Sequence, residues 1–332
     1  MMNITNFTPA LLLAGVLTLG ACDGLEGIDL PGTTPPLPES ISVGDNIPED
    51  ITVAGDVAYV SSLTDGSVQK LDLKNAGAAS AFIPAATDAY TAAWGLRVVE
   101  DENWLLVVQN QPYDFNPANA QTGRLTAFDL DTGAEAKSWD LPEQMVGNSV
   151  VVDEAGALYV GDIGPSPRIV KIDPDSDEVS VWATSSEWVD GGFGVGGVAY
   201  SGEGLYASHN NLLWYIAIEE DGSAAEPTAV SVEGDPVIFA DGITWTEDGI
   251  IYAENDVLVA GAQGAVYRLD FSDATTATRS TLQEGLRDSS GVAVTTVGEQ
   301  DYLLVNESQL GFAFGVDEGE PSTPYQLKVF ER

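Results

Sequence analysis

The chain has 332 residues, 44% of them apolar, and a formal charge of −40 from 52 acidic against 12 basic side chains. That balance argues against nucleic acid or an anionic membrane surface as a charge-held partner, while the apolar share is ample for a core. One cysteine and one histidine rule out an internal disulfide and a two-histidine dyad, and leave no ligand set for a haem or copper centre.

The first element in chain order is an apolar run of about a dozen residues between Asn6 and Ala21, too short for a permanent membrane helix and of the length of a signal-peptide core. It ends in Leu19-Gly20-Ala21-Cys22, which resembles a bacterial lipobox, with the single cysteine at the position such a motif requires. The resemblance implies cleavage before Cys22, acylation of its thiol, and a bacterial envelope protein held on a lipid bilayer and facing the periplasm or the exterior. An ordinary secretory leader that happens to contain a cysteine is the competing reading. Residues 1 to 21 carry no Asp, Glu, Lys or Arg, so the whole negative charge lies in the mature chain. Residues 22–39 hold Gly24, Gly27, Pro31, Gly32, Pro35, Pro36 and Pro38 and read as a tether, with a reach of about 25 to 30 Å.

From residue 40 onward, one pattern recurs six times at intervals of roughly 45 to 55 residues. The clearest copy runs Asn148–Asp153, an acidic-glycine turn at Glu154-Ala155-Gly156, Ala157–Asp162, and then Arg168–Asp173 after a longer loop. Strand, tight turn, strand, loop, strand is the physical reading. A second copy starts at Asp241 and turns at Glu247-Asp248-Gly249; the others begin near Glu49, Trp94, Gly197 and Ser290. A four-stranded antiparallel meander with one apolar face cannot stand alone, so six of them must pack around an axis. The predicted fold is an all-β, six-bladed β-propeller over residues 40–332.

The sixth copy supplies only three strands, Gly291–Val294, Tyr302–Val305 and Tyr325–Phe330. Ser40-Ile41-Ser42-Val43-Gly44 is the expected fourth, an N-terminal strand that closes the ring and removes two open edges. Removing residues through Gly44 is therefore expected to cost far more stability than removing those through Pro38. Connectivity also selects a face. The residues that open each inner strand (Glu49, Asp50, Trp94, Asn148, Gly197, Asp241, Ser290) share one mouth with the second loops (Gln109, Asn110, Asp162, His209, Asn210, Glu254, Asn255, Asn306, Glu307).

These residues resemble the calcium-dependent lactonase propellers of the gluconolactonase and senescence-marker-protein family. Ile47-Pro48-Glu49-Asp50-Ile51 resembles the element that supplies a glutamate ligand, Gly147-Asn148-Ser149-Val150 an asparagine element, and Ala240-Asp241-Gly242-Ile243 an aspartate element. The resemblance implies a Ca²⁺ or other divalent ion at the axis held by Glu49, Asn148 and Asp241, and hydrolysis of a lactone or ester. The sequence departs from the family at the fourth blade, where Gly196-Gly197-Val198-Ala199 stands in place of an asparagine. No Arg or Lys occurs among the openers and second loops, which lowers the case for an acidic sugar substrate.

His209, the lone histidine, is a candidate general base; a hydrogen-bonded loop histidine is the alternative. No Gly-x-Ser-x-Gly nucleophile elbow is present, and the glycine run Gly191–Gly197 precedes a strand, so it lacks a helix terminus to cradle phosphate. Trp94, Trp188, Phe193, the insertion Asn110–Pro117 and Gly311–Gly315 point to an aromatic mouth. Two readings follow: a metal-dependent lactone or ester hydrolase, or a non-catalytic propeller that binds a small ligand or an envelope protein. A monomer is expected in either case.

Overall fold

The computed structural model describes residues 35–112, 122–188, 193–234, 237–255 and 257–332. Cys22, the leader, most of the tether, insertion residues 113–117 and Gly191-Gly192 lie outside them. Strand β1 (Ser40–Gly44) comes first. Blade one follows with β2 (Pro48–Ala54), β3 (Val57–Ser62), β4 (Val68–Asp72) and β5 (Ala78–Ile83). Blade two holds β6 (Ala92–Val99), β7 (Trp104–Asn110), β8 (Gly123–Asp129) and β9 (Glu135–Asp140). Blade three holds β10 (Gly147–Val152), β11 (Leu158–Asp162), β12 (Arg168–Asp173) and β13 (Glu178–Ala183). Blade four holds β14 (Val198–Tyr200), β15 (Gly204–His209), β16 (Leu212–Ala217) and the two-residue β17 (Thr228–Ala229). After β18 (Ser231–Glu233), blade five runs β19 (Ala240–Thr246), β20 (Gly249–Glu254), β21 (Gly264–Asp273) and β22 (Thr276–Leu286). Blade six has β23 (Val292–Val297), β24 (Gln300–Asn306) and β25 (Tyr325–Glu331).

Within each blade, neighbours in sequence pair antiparallel, and β1 pairs antiparallel with β25 as the outer strand of blade six. This is the six-bladed propeller with its expected N-terminal closure. Ser40 faces Lys328 and Ser42 faces Gln326, while Ile41 and Val43 turn inward, an alternation that fits one packed face and one wet face.

The second strands are buried along nearly their whole length, as in Leu158-Tyr159-Val160-Gly161-Asp162, because both of their faces meet a neighbouring blade. Outer strands such as β13 are largely exposed. The core accordingly divides into six clusters, one at each blade junction. Tyr59, Tyr159 and Tyr206 occupy the same register position of their second strands, each at most 3% exposed. One feature was absent from the sequence pattern. The chain leaves the edge of blade four at β17, buries Val230, and pairs β18 parallel to β22 on the edge of blade five, so one extended segment ties two blades together.

Candidate functional site

Four of the six inner strands begin with an irregularity. Register slips between Pro48 and Ile51, Ala93 and Leu96, Gly147 and Val150, and Ala240 and Ile243. A bulge of this kind bends the strand and re-aims its side chains, here toward the ring axis. Aligning the blades on the first regular pair gives equivalent openers Glu49, Trp94, Asn148, Gly196, Asp241 and Ser290. The fourth opener is therefore Gly196, one residue before the expected Gly197, because Val198 rather than Ala199 matches Ile51 and Val150. The fourth position still has no side chain.

Gly197 instead occupies the second position, with Asp50, Gly95, Ser149, Gly242 and Gly291. A Cβ at Gly95, Gly197 or Gly242 would lie 2.1–2.4 Å from a backbone oxygen of the following blade. The two non-glycine residues convert that closeness into bonding. Asp50 Oδ2 accepts the Leu96 N–H at 2.8 Å, and Ser149 Oγ donates to the Gly196 carbonyl and accepts the Val198 N–H, both at 2.8 Å. Ser61, Ser208 and Asn306, at a shared place near the ends of their second strands, each accept the second-position N–H and donate to a carbonyl of the next blade at 2.6–2.7 Å.

On this scaffold Glu49, Asn148 and Asp241 all line the axial channel, with Glu49 at 5% and Asn148 at 2% exposure. Asp241 accepts hydrogen bonds from Asn148 and, at 3.0 Å, from Asn255 Nδ2. Burial, then the charges of Asp241 and Asp50, push the Glu49 carboxyl well above its usual range. Burial raises Asp241 to about 6 against the pull of the two amides, and Asp50 to about 7 against the Leu96 and Ile51 N–H groups. Arg97, on the channel wall, acts on Asp50 and only weakly offsets its burial. The cluster thus concentrates acidic groups whose ionised form the fold leaves largely uncompensated. Two carboxylates and an amide oxygen are hard oxygen donors suited to a cation such as Ca²⁺. Among the described residues, however, no three of His, Cys, Asp and Glu gather as a ready metal cluster, and Gly196 adds no ligand.

Glu49 and Asp241 also form the floor of the mouth, a cavity of about 430 Å³ walled by Leu63, Trp94, Ile163, Phe193, Phe239, Val257, Leu310 and Phe314. The expected aromatic mouth is partly as read. Trp94, Phe193 and Phe314 line it, whereas Trp188 packs behind it against Trp214 at 6.3 Å, and Phe312 stacks with Arg287. Phe239, Leu310 and Val257 were not singled out by sequence. Phe239 lies two residues before an opener, which is the signal that could have marked it.

Of the second-loop candidates, only His209, Asn210 and Asn255 reach the mouth. The others hold the scaffold together. Asn110 brackets Gly147, Gln109 accepts from Arg124 and Thr126, and Asn306 ties Ser290, Gly291 and Glu49. Asp162 takes Arg168 and two backbone N–H groups, Glu254 pairs with Arg279, and Glu307 with Lys328. His209 is 3% exposed, with Nδ1 2.9 Å from the Gly194 carbonyl, so Nδ1 carries the proton in that bond.

No family model matches the chain, and neither does any curated protein. Solved structures resemble it in fold. The major allergen Mala s 1 of Malassezia sympodialis superposes with a TM-score of 0.67 at 17% identity, covering 88% of this chain and 96% of the allergen. A gluconolactonase from Xanthomonas campestris gives 0.56 at 13% identity, covering 88% and 89%. Virginiamycin B lyase from Staphylococcus aureus gives 0.51 at 15% identity, covering 80% and 83%. At these identities the likeness establishes the propeller fold and nothing finer.

Proposed function

We propose that the protein binds a small molecule in the apolar mouth above Glu49 and Asp241, and that with a divalent cation, Ca²⁺ by donor type, it hydrolyses a lactone or ester there. The observation that carries this reading is the pair of carboxylates from blades one and five, brought together at the cavity floor beside Asn148, with no Arg or Lys among the described residues of the mouth wall. Glu49, Asp241 and the Asn148 oxygen would hold the cation. Bound there, it would polarise the substrate carbonyl and lower the proton affinity of the attacking water. Asn255 fixes the Asp241 carboxylate, and the aromatic walls exclude bulk water from the floor. His209, oriented through Nδ1 by Gly194, takes and returns the proton at Nε2. Acylation at Cys22 would place this mouth at the bacterial envelope.

The absent side chain at Gly196 favours a second reading, ligand binding without turnover. A Bacteroides thetaiotaomicron structure described as an auxiliary nutrient binding protein shares the fold at a TM-score of 0.56 and 9% identity, covering 87% of this chain and 70% of that one. The two readings separate in thermal unfolding of the chain from Asp23 onward, with Ca²⁺ or chelator in high fixed salt. A hundredfold excess over Kd should stabilise the fold by about 2.7 kcal/mol. Glu49→Gln and Asp241→Asn should abolish that gain, which would justify a lactone and ester screen. A shift that both variants retain, or none, defeats the metal reading and leaves ligand binding.

A further inference from the structure

We propose that the ligand of the mouth is an uncharged molecule with a hydrophobic body, aromatic or aliphatic, and one polar end that meets the Glu49 and Asp241 floor. This deepens the function proposed above and rests on it only for the location of the site.

Cavity chemistry sets the class. A volume of about 430 Å³ suits a ligand of drug-like size. Trp94, Phe193, Phe239 and Phe314 offer rings, and Leu310 and Val257 complete an apolar wall. Four of the polar side chains that line the cavity, Ser208, Asn211, Asn255 and His209, are already engaged within the fold. Ser208 bonds Gly197 and Ala240, Asn255 bonds Asp241 and the Ser289 carbonyl, Asn211 Oδ1 accepts the Phe239 N–H, and His209 Nδ1 bonds Gly194. A sugar would surrender many hydrogen bonds to water and find only Asn210 and the floor carboxylates to replace them. An anion would meet two carboxylates at the floor, no Lys or Arg on the described wall, and a chain of net charge −40.

Two further observations point the same way. Four large apolar residues are exposed among the described residues, and two of them, Leu212 and Leu258, stand at the mouth, with Val259 next in sequence. An apolar rim of this kind extends the wall for a ligand body longer than the cavity is deep. Phe239 itself has φ +39°, a conformation that a bulky side chain adopts only when its surroundings enforce it. Asn211, at φ +60° in the neighbouring loop, holds its amide, and the ring stands edge-on to Phe193 at 6.3 Å. The strain keeps an aromatic face in the ligand's path.

The test is binding of the neutral fluorophore N-phenyl-1-naphthylamine to the chain from Asp23 onward, which retains all the strands, in the presence of chelator. γ-Lactones of increasing alkyl length and sodium gluconate serve as competitors. Saturable binding is expected, and each added methylene should tighten displacement roughly fourfold until the cavity is full. Gluconate should not compete at a hundredfold higher concentration. Phe239→Gly relieves the φ strain, so its melting temperature should hold while binding weakens at least tenfold; Leu258→Glu should weaken binding similarly. Val181→Glu, an exposed change on β13 outside the mouth, should change neither. Displacement independent of chain length, competition by gluconate, absence of saturable binding, or parental affinity in both mouth variants would each overturn the proposal. Because the assay runs without metal, loss of the calcium effect leaves it standing. A calcium effect without chain-length dependence defeats this inference alone.

Discussion

At the second position of the inner strands, two chemical solutions serve one seam: glycine where backbone meets backbone, and Asp50 or Ser149 where a side chain bonds across. Glycine pairs in blade four make the distinction testable one residue apart. A Cβ on Gly197 would lie 2.1 Å from the Asp241 carbonyl oxygen and 2.9 Å from the Ile243 side chain, neither of which can yield without moving a blade. A Cβ on Gly196 meets the Ser208 hydroxyl at 2.9 Å and nothing else closer than 3.5 Å. Gly197→Ala should therefore cost about 3 kcal/mol and Gly196→Ala less than about 1, read as midpoints of denaturant unfolding. Equal costs would mean that the seam is looser than its geometry. The sequence already contained Glu49, Asn148 and Asp241 at repeating places, and they do share the channel. It could not distinguish Gly196 from Gly197, because two adjacent glycines give no side-chain signal and only the strand pairing resolves which one opens the blade.

Strand β1 was legible because the sixth repeat lacked an outer strand and Ser40–Gly44 alternates apolar and polar residues. The segment before it was not. Leu37, which the sequence places in a proline-rich tether, is 8% exposed, joins the cluster at the junction of blades six and one, and donates its N–H to the Tyr302 hydroxyl at 3.2 Å. Proline spacing hides a single buried leucine. The expected contrast between removal through Pro38 and removal through Gly44 thus becomes graded. Removal through Pro35 should leave the melting temperature unchanged, and removal through Pro38 should cost about 2 kcal/mol for the lost leucine. Removal through Gly44 should cost most, since β25 then becomes an open edge along a buried cluster. A first step as large as the last would refute ring closure as the dominant role of this segment. The parallel pairing of β18 with β22 was likewise invisible, as three residues on an outer edge carry no period.

For the whole molecule, closing the ring brings carboxylates from blades one and five to one axis, and the resulting energetic conflict is readable as a pH dependence. Asp241 and Asp50 are raised to about 6 and about 7, and Glu49 is raised with them, all first by burial. A carboxyl raised by folding binds more protons in the folded than in the unfolded chain between its ordinary and its folded values. Stability therefore falls as pH climbs through that window, here from the ordinary aspartate value of 3.8 to about 7. Surface aspartates such as Asp72, Asp173 and Asp273 are lowered by N–H groups at their turns or, for Asp72, chiefly by the Asn75 side chain; their contribution is complete above 3.8 and is lost only in acid below it. The interval from pH 5 to pH 8 consequently isolates the buried groups, to which Asp162, at about 6 against the pull of Arg168, also belongs. In chelator and high fixed salt, which screens the general repulsion of the −40 chain, the melting temperature should decline from pH 5 to pH 8. Asp241→Asn should make the decline shallower by removing its own share and its repulsion of Glu49 and Asp50, leaving what burial imposes on those two and on Asp162. Saturating Ca²⁺ should flatten it further, because a cation at the floor competes with the protons that the cluster otherwise retains. A melting temperature that rises across this interval in chelator would show that the axial carboxylates are compensated in the folded ring, and the case for a cation between them would fail with it.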